Sequence, residues 1–282
     1  MITPIPMLCL GKNMFKRVIV SMVVLFIFTP SLAQISSNLA PATPIKAVLF
    51  DTFGTVVDWR GTMVSEFSSL FQTKKISGIS AETFVETWVM AYSDNMSKIS
   101  EKKGPFATVD ALNKLSLDET LKKHNLFNRF TPIERHHMWL VWHRLKAWPD
   151  SVNGLNELKK HFIIGTLTNG NVKLVIDMSK QAKLNWDVIF SGEFIKRYKP
   201  DSMVYQNAAT LLNLKPSEIL LVASHKYDLK AAQKLGFKTA YLFRPKEFKT
   251  LHKDQVPIKN EFDFMVTGID KLATKLIIHL NR

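Results

Sequence analysis

The sequence predicts an α/β protein, a parallel sheet with helices on both faces and an all-helical insertion after its first strand. Three observations predict it. The runs "IKAVLF", "FIIGTLT" and "EILLVAS" are apolar without polar alternation, the pattern of strands buried on both faces. From the second run onward, strand and helix patterns alternate, as in βαβ units. Between the first two runs, from Gly61 to about Leu145, apolar residues recur only three and four apart and no strand signal intervenes.

The chain opens with Lys12, Lys16 and Arg17, then the apolar stretch Val18 to Phe28, then Pro30 and Ser31-Leu32-Ala33. That order of charge, apolar run and small residues predicts a signal peptide over residues 1–33, cut after Ala33, and a secreted or periplasmic protein. The apolar run falls short of the ~20 residues of a membrane span, so no stable span is expected after cleavage. An uncleaved anchor is the alternative, and Met14 is an alternative start. The single cysteine, Cys9, lies in the segment removed, which suits an oxidising compartment.

Residues 34–43 read as a linker, and residues 44–60 with 146–282 as the core. "IKAVLF" is its first strand. Residues 61–145 form the helical cap, with helices in "AETFVETWVMAY", "VDALNKLSLDETLKKHNL" and "IERHHMWLVWHRL". "FIIGTLT" then leads through Asn169-Gly170 into the helix "VKLVIDMSKQAKL", the short strand "WDVIF" and the helix "SMVYQNAATLLNL". "EILLVAS", the helix "DLKAAQKLG" ending at Gly236, and the strand "KTAYLF" follow. "DFMV" is a last strand, and "TGIDKLATKLIIHL" a closing helix whose Thr267 and Asp270 have capping-box spacing.

The net charge is +14, or +11 once the three cations of the leader are removed, a balance that favours small anionic ligands. The lysines are dispersed and no basic helix carries interleaved aromatics, so a solvated basic surface is expected rather than nucleic-acid binding. The adjacent His136 and His137 point apart on a helix and have no acid cluster beside them, which argues against a metal site there. Trp139, Trp142 and Trp148 are read as packing of the cap.

Polar clusters end three of the apolar strands: Asp51-Thr52-Phe53-Gly54-Thr55, Thr168-Asn169-Gly170 and Ser224-His225-Lys226-Tyr227-Asp228. A fourth, Lys199-Pro200-Asp201, precedes a helix. Parallel strands bring such ends to one edge, where open α/β sheets bind ligands. Taken singly, Asn169-Gly170 is also an ordinary turn signal and Asp228 an ordinary acid at a helix start.

Together these clusters resemble the four motifs of the haloacid dehalogenase (HAD) superfamily, in wording nearest its type II 2-haloacid dehalogenase branch. "FDTFGTVVDWR", "WHRLKAWPDSVNGL", "TLTNGN", "YKPDSMVY" and "VASHKYDLKAAQKLGFKTAYLFRP" carry the resemblance, from about Ile45 to Pro245. It implies a HAD-like Rossmannoid core with an inserted helical cap, and Asp51 as nucleophile, held ionised by Lys199. It also implies that Asp228 positions or activates water, with Ser224 and His225 nearby. Thr55, Thr168 and Asn169 would hydrogen-bond the nucleophile, the substrate carboxylate or the halide, and Tyr205 matches a pocket tyrosine. Phosphatases of the superfamily place a general acid two residues after the nucleophile and a magnesium-binding carboxylate pair in the last motif. Here Phe53 stands at the first position and Asp228 has no adjacent acid. A phenyl ring cannot protonate an alkoxide, whereas halide leaves without a proton.

The resemblance therefore implies metal-independent hydrolysis of a 2-haloacid to the 2-hydroxyacid, with no cofactor, and homodimers as in other members. One position departs from the branch. Its substrate-holding arginine follows a cap tryptophan, and the matching pair here is Trp88-Val89. Arg60, Lys196 or Arg197 could replace it. A small-molecule phosphatase and a non-catalytic exported binding protein are the competing readings.

Overall fold

The computed structural model describes residues 44–101, 104–250 and 253–280. The expected leader, its expected cleavage site and the expected linker lie outside the described residues. Among the described residues, no helix is long and apolar enough to cross a membrane.

The first apolar run forms β1 (Ala47–Phe50), buried along its whole length. It lies at the centre of a six-stranded sheet with β4 (Ile163–Thr168), β5 (Val188–Ser191), β6 (Ile219–Ala223), β7 (Lys238–Leu242) and β8 (Phe264–Val266). The order is β5-β4-β1-β6-β7-β8, and every neighbouring pair is parallel. Phe50 is in register with Thr166 of β4 and Val222 of β6. The residues following all three strands thus emerge side by side, at the point where strand order reverses about β1.

Alternate side chains of β1 enter two cores. Val48 and Phe50 join Ile164 and Val222 on one face, with α5 (Ser151–Lys159), α6 (Val172–Ala182) and α9 (Ile269–Leu280). Ala47 and Leu49 join Leu167 and Leu221 on the other, with α7 (Ser202–Leu212) and α8 (Lys226–Lys234). Burial on both faces explains why the strands lack polar alternation.

The first core continues into the helical insertion through Phe67, Trp88, Leu117 and Trp142. Its helices are α1 (Trp59–Thr73), α2 (Ala81–Ser100), α3 (Val109–Lys123) and α4 (Pro132–Trp139). Each has a side-chain cap, from Asp58, Ser80, Thr108 and Thr131 respectively, the last in a capping box with Glu134. Where the chain leaves and re-enters the core, β2 (Val57–Asp58) and β3 (Lys146–Ala147) pair antiparallel. Two residues on each side are too few for a periodicity signal, and the ribbon escapes sequence reading.

Two local expectations are corrected. The helical pattern of "IERHHMWLVWHRL" is α-helical only to Trp139, and Leu140–Arg144 tighten into a 3-10 segment. There His143 is buried between Asp110 Oδ1 (3.0 Å) and Asp177 Oδ2 (2.9 Å), a tertiary contact that outweighs helical continuation. The capping box expected from Thr267 and Asp270 is not formed, because α9 starts at Ile269. Asp150 Oδ2 accepts the Ile269 N–H at 2.7 Å, so the helix start is capped by a carboxylate from outside the helix.

Candidate active site

Asp51 ends the central strand, its N–H bonded to Val222 O at 3.0 Å. The chain then turns sharply at Gly54, whose φ is +78°. A Cβ there would meet Glu247 Oε1 at 1.9 Å, so both the left-handed conformation and the close approach require glycine. The turn returns Thr55 Oγ1 to donate to Asp51 Oδ2 at 2.9 Å, and Thr55 Oγ1 in turn accepts the Ser224 N–H at 2.9 Å. One threonine thereby ties the ends of β1 and β6 together.

Asp51 faces two cations. Lys199 Nζ donates to Oδ1 at 2.9 Å, and His225 Nδ1 lies 3.1 Å from Oδ2. Burial alone would raise the Asp51 pKa, but Lys199 and then His225 outweigh it and hold the carboxyl well below the usual carboxylate range. Lys199 Nζ also bonds Asp228 Oδ2, and its side chain is 2% exposed. Burial opposes its charge, but Asp228 and Asp51 push its pKa above the ordinary lysine value. Asp228 is enclosed, with Oδ1 accepting from Tyr205 Oη at 2.6 Å. Burial and the charge of Asp51 raise its pKa against the pull of Lys199.

The site opens into a cavity of about 290 Å³. Asp51, Asn169, His225 and Tyr227 are its polar members from the sequence motifs, and Phe53, Trp59, Trp142 and Phe248 give it an aromatic wall. The α2 helix of the insertion adds Val89, Tyr92, Ser93 and Met96. Phe53 stands edge-on to Trp142, with ring centroids 5.5 Å apart. Asn169 Oδ1 accepts the Lys199 N–H at 2.7 Å, fixing the loop that carries the lysine.

Four of the residues expected about the nucleophile and substrate stand behind this wall, and among them Thr55 makes the bond to Asp51 that was one of its expected roles. Tyr205 supports Asp228, and Thr55 and Ser224 support the Asp51 loop. The Thr168 hydroxyl lies 2.7 Å from that of Thr52 and accepts the Gly170 N–H at 3.1 Å. All four are buried and do not line the cavity. They act on the geometry of the site through Asp51, Asp228 and the strand-end turns.

Sequence reasoning missed Glu247. It is 1% exposed and lines the cavity, with Oε1 2.8 Å from His225 Nε2 and 3.2 Å from Trp59 Nε1. Its Oε2 accepts from Ser224 Oγ at 3.0 Å. His225 is consequently clamped between two carboxylates. Burial disfavours its charge, but Glu247 and Asp51 raise its pKa well above the ordinary histidine value. The available signal was an acid just beyond β7, in "RPKEF", on the edge where the other motifs converge.

Val89, the residue matched by sequence resemblance to the branch's arginine, does line the cavity. Neither Arg60 nor Arg197 replaces it. Arg60 is bound to Glu82 and Glu86, and Arg197 to Asp201. Lys196 lines a different cavity, beside Tyr198 and Pro200. Among the described residues lining the Asp51 cavity, His225 is the one cationic side chain. No cluster of three His, Cys, Asp or Glu side chains among the described residues is arranged to hold a metal ion.

The family model described as haloacid dehalogenase-like hydrolase matches residues 48–242. The chain is 30% identical over 221 residues to (S)-2-haloacid dehalogenase 1 of Pseudomonas sp. (strain CBS-3), covering 73% of this chain and 88% of that protein. Among solved structures, the defluorinating L-2-haloacid dehalogenase Rha0230 superposes with a TM-score of 0.80 at 36% identity, over 84% of this chain and 98% of that one. Pyrophosphatase PpaX of Bacillus anthracis is 25% identical over 238 residues, covering 83% of this chain and 96% of that protein.

Proposed function

Because this chain belongs to the haloacid dehalogenase-like hydrolases, we propose that it hydrolyses the carbon–halogen bond of a short (S)-2-haloacid through an ester formed on Asp51. The observation that carries this reading is the pairing of Asp51 with Lys199 beside Phe53. It gives an ionised carboxylate with no proton donor two residues on. An Asp51 oxygen attacks the α-carbon, the carbon–halogen bond breaks and halide departs with its electron pair. Water then adds to the Asp51 carboxyl carbon and releases the 2-hydroxyacid. Lys199 keeps the nucleophile ionised, Asp228 and Tyr205 fix Lys199, and Thr55 aims the carboxylate. Asn169, Ser93, Tyr92 and Tyr227 are the neutral polar residues that line the cavity.

The likeness to pyrophosphatase PpaX keeps phosphate-ester hydrolysis as the second reading, and Phe53 speaks against it. Export through the N-terminal segment is part of the proposal and is tested by whether residues 1–33 are missing from the protein purified from its cell envelope or medium.

The test is halide release from the two 2-chloropropionate enantiomers in EDTA, with Asp51→Asn in parallel. Release from the (S) enantiomer by the wild type alone is expected. Equal release by Asp51→Asn, or release of phosphate from a phosphate ester with no release of halide, overturns the reading.

A further inference from the structure

The resemblance assigns activation of the hydrolytic water to Asp228, yet its geometry does not suit that task. Asp228 is fully buried, does not line the cavity, and has Oδ1 taken by Tyr205 and Oδ2 by Lys199. His225 and Glu247 both line the cavity. Three donors, Trp59 Nε1, Ser224 Oγ and His225 Nε2, converge on the Glu247 carboxylate. A carboxylate only accepts, so the hydrogen between this pair resides on His225 Nε2. Nδ1 is left facing Asp51 Oδ2 at 3.1 Å, the one His225 nitrogen directed at the reacting carboxyl group. Base, orienting acid and reaction centre are thus linked in the manner of nucleophile–base–orienter triads.

We propose that His225 is the general base that activates water against the Asp51 ester, and that Glu247 is the positioning residue that holds its tautomer. The proposal rests on the 2-haloacid reading above. In the free enzyme His225 carries a proton between two carboxylates. Formation of the ester removes the charge of Asp51, and His225 loses one of its two counter-charges and releases its Nδ1 proton to solvent. Neutral Nδ1 then takes a proton from water as the water oxygen bonds to the Asp51 carboxyl carbon. Collapse of the tetrahedral adduct breaks the bond to the substrate oxygen, and the departing alkoxide takes that proton. The remaining hydroxyl proton of the adduct passes to His225 as Asp51 becomes a carboxylate again. One haloacid and one water give one hydroxyacid, one halide and one proton, and the enzyme is restored.

The charged and titratable groups around His225 are Asp51, Glu247, the stacked Tyr227 ring at 5.8 Å, and Lys199 and Asp228 beyond Asp51. Of these Glu247 contributes the largest upward pull on the imidazole, so its neutralisation lowers the pH at which the base is free.

The experiment follows halide release and intact-protein mass after mixing the full chain with excess (S)-2-chloropropionate. Wild type, His225→Asn, His225→Gln and Glu247→Gln are compared. Both His225 variants are expected to release about one halide per site and then stall, retaining the 1-carboxyethyl ester of Asp51. Its hydrolysis should slow by about 100-fold or more, the range lost with a general base. Glu247→Gln should slow ester hydrolysis and move its acidic limb to lower pH, which a merely structural glutamate would not do. Ester hydrolysis at the wild-type rate in either His225 variant overturns the proposal, as does a Glu247→Gln profile with no shift. Wild type that gives neither halide nor adduct overturns the 2-haloacid reading and this proposal together.

Discussion

Replacing Lys199 by methionine removes one charge from a buried row of three groups. Its side chain is 2% exposed, with Asp51 and Asp228 on either side at 10% and 1%. The methionine keeps most of the volume, so the lost free energy is chiefly electrostatic. Breaking a buried pair by removing one partner costs about 3–5 kcal/mol, because the remaining charge is left uncompensated. At about 1.4 kcal/mol per pKa unit, that corresponds to a rise of roughly 2–4 units in the apparent pKa of the Asp51–Asp228 pair. Urea unfolding of the variant at pH 7 should therefore show a loss of about 3–5 kcal/mol.

The pH dependence has a definite sign. In the wild type the depressed Asp51 pKa stabilises the fold above the ordinary carboxylate range and is lost as pH falls through its folded value. In the variant the pair's pKa is raised, so its protonated form favours the fold at low pH and that contribution is lost as pH rises through the raised value. The gap between the proteins should narrow steadily from pH 7 towards pH 4. Halide release at pH 7 should also fall, because Asp51 loses the cation that holds it ionised and in place. A loss below about 1 kcal/mol, or one of constant size across that interval, would refute the buried-pair reasoning.

Two further outcomes follow from the cavity and the insertion. Val89→Arg introduces a guanidinium where the cavity has none, and a charge-assisted bond of about 1.5–3 kcal/mol should lower the KM for 2-chloropropionate by roughly 10-fold or more; an unchanged KM measured by halide release counts against a carboxylate at that wall. His143 joins Asp110 of α3 to Asp177 of α6, and these hydrogen bonds raise its pKa despite burial. Its contribution is full below the ordinary histidine pKa and lost as pH rises through the folded value. His143→Gln should cost about 1–3 kcal/mol at pH 5.5 and less at pH 9, read as Tm differences at the two pH values.

The order of strands and helices was readable because burial on two faces erases polar alternation in β1, β4 and β6, leaving apolar runs that only a covered parallel sheet explains. That Asp51, Lys199 and Asp228 belong to one cluster was readable for a related reason, while the roles expected of them came from the family resemblance. Strand ends in register share one edge, so polar clusters after separate strands can be assigned to one site before any distance is known. Capping at Thr131 and Glu134 was equally local, whereas Thr267 and Asp270 failed because Asp150 reaches the α9 start first.

Sequence alone determined the fold class, the place of the insertion and the convergence of the strand-end polar clusters, and the family resemblance singled out Asp51, Lys199 and Asp228 among them. These depend on periodicities of two and 3.6 residues and on the shared edge they imply. Tertiary structure decided which motif residues meet the cavity and which stand behind it, since Thr168 and Asn169 are neighbours in the chain but face different surroundings. It also decided that Glu247, 22 residues after His225, would complete the site. The direction of a side chain after a turn, and the loop that packs against it, are set by contacts between distant segments, and no local pattern encodes them.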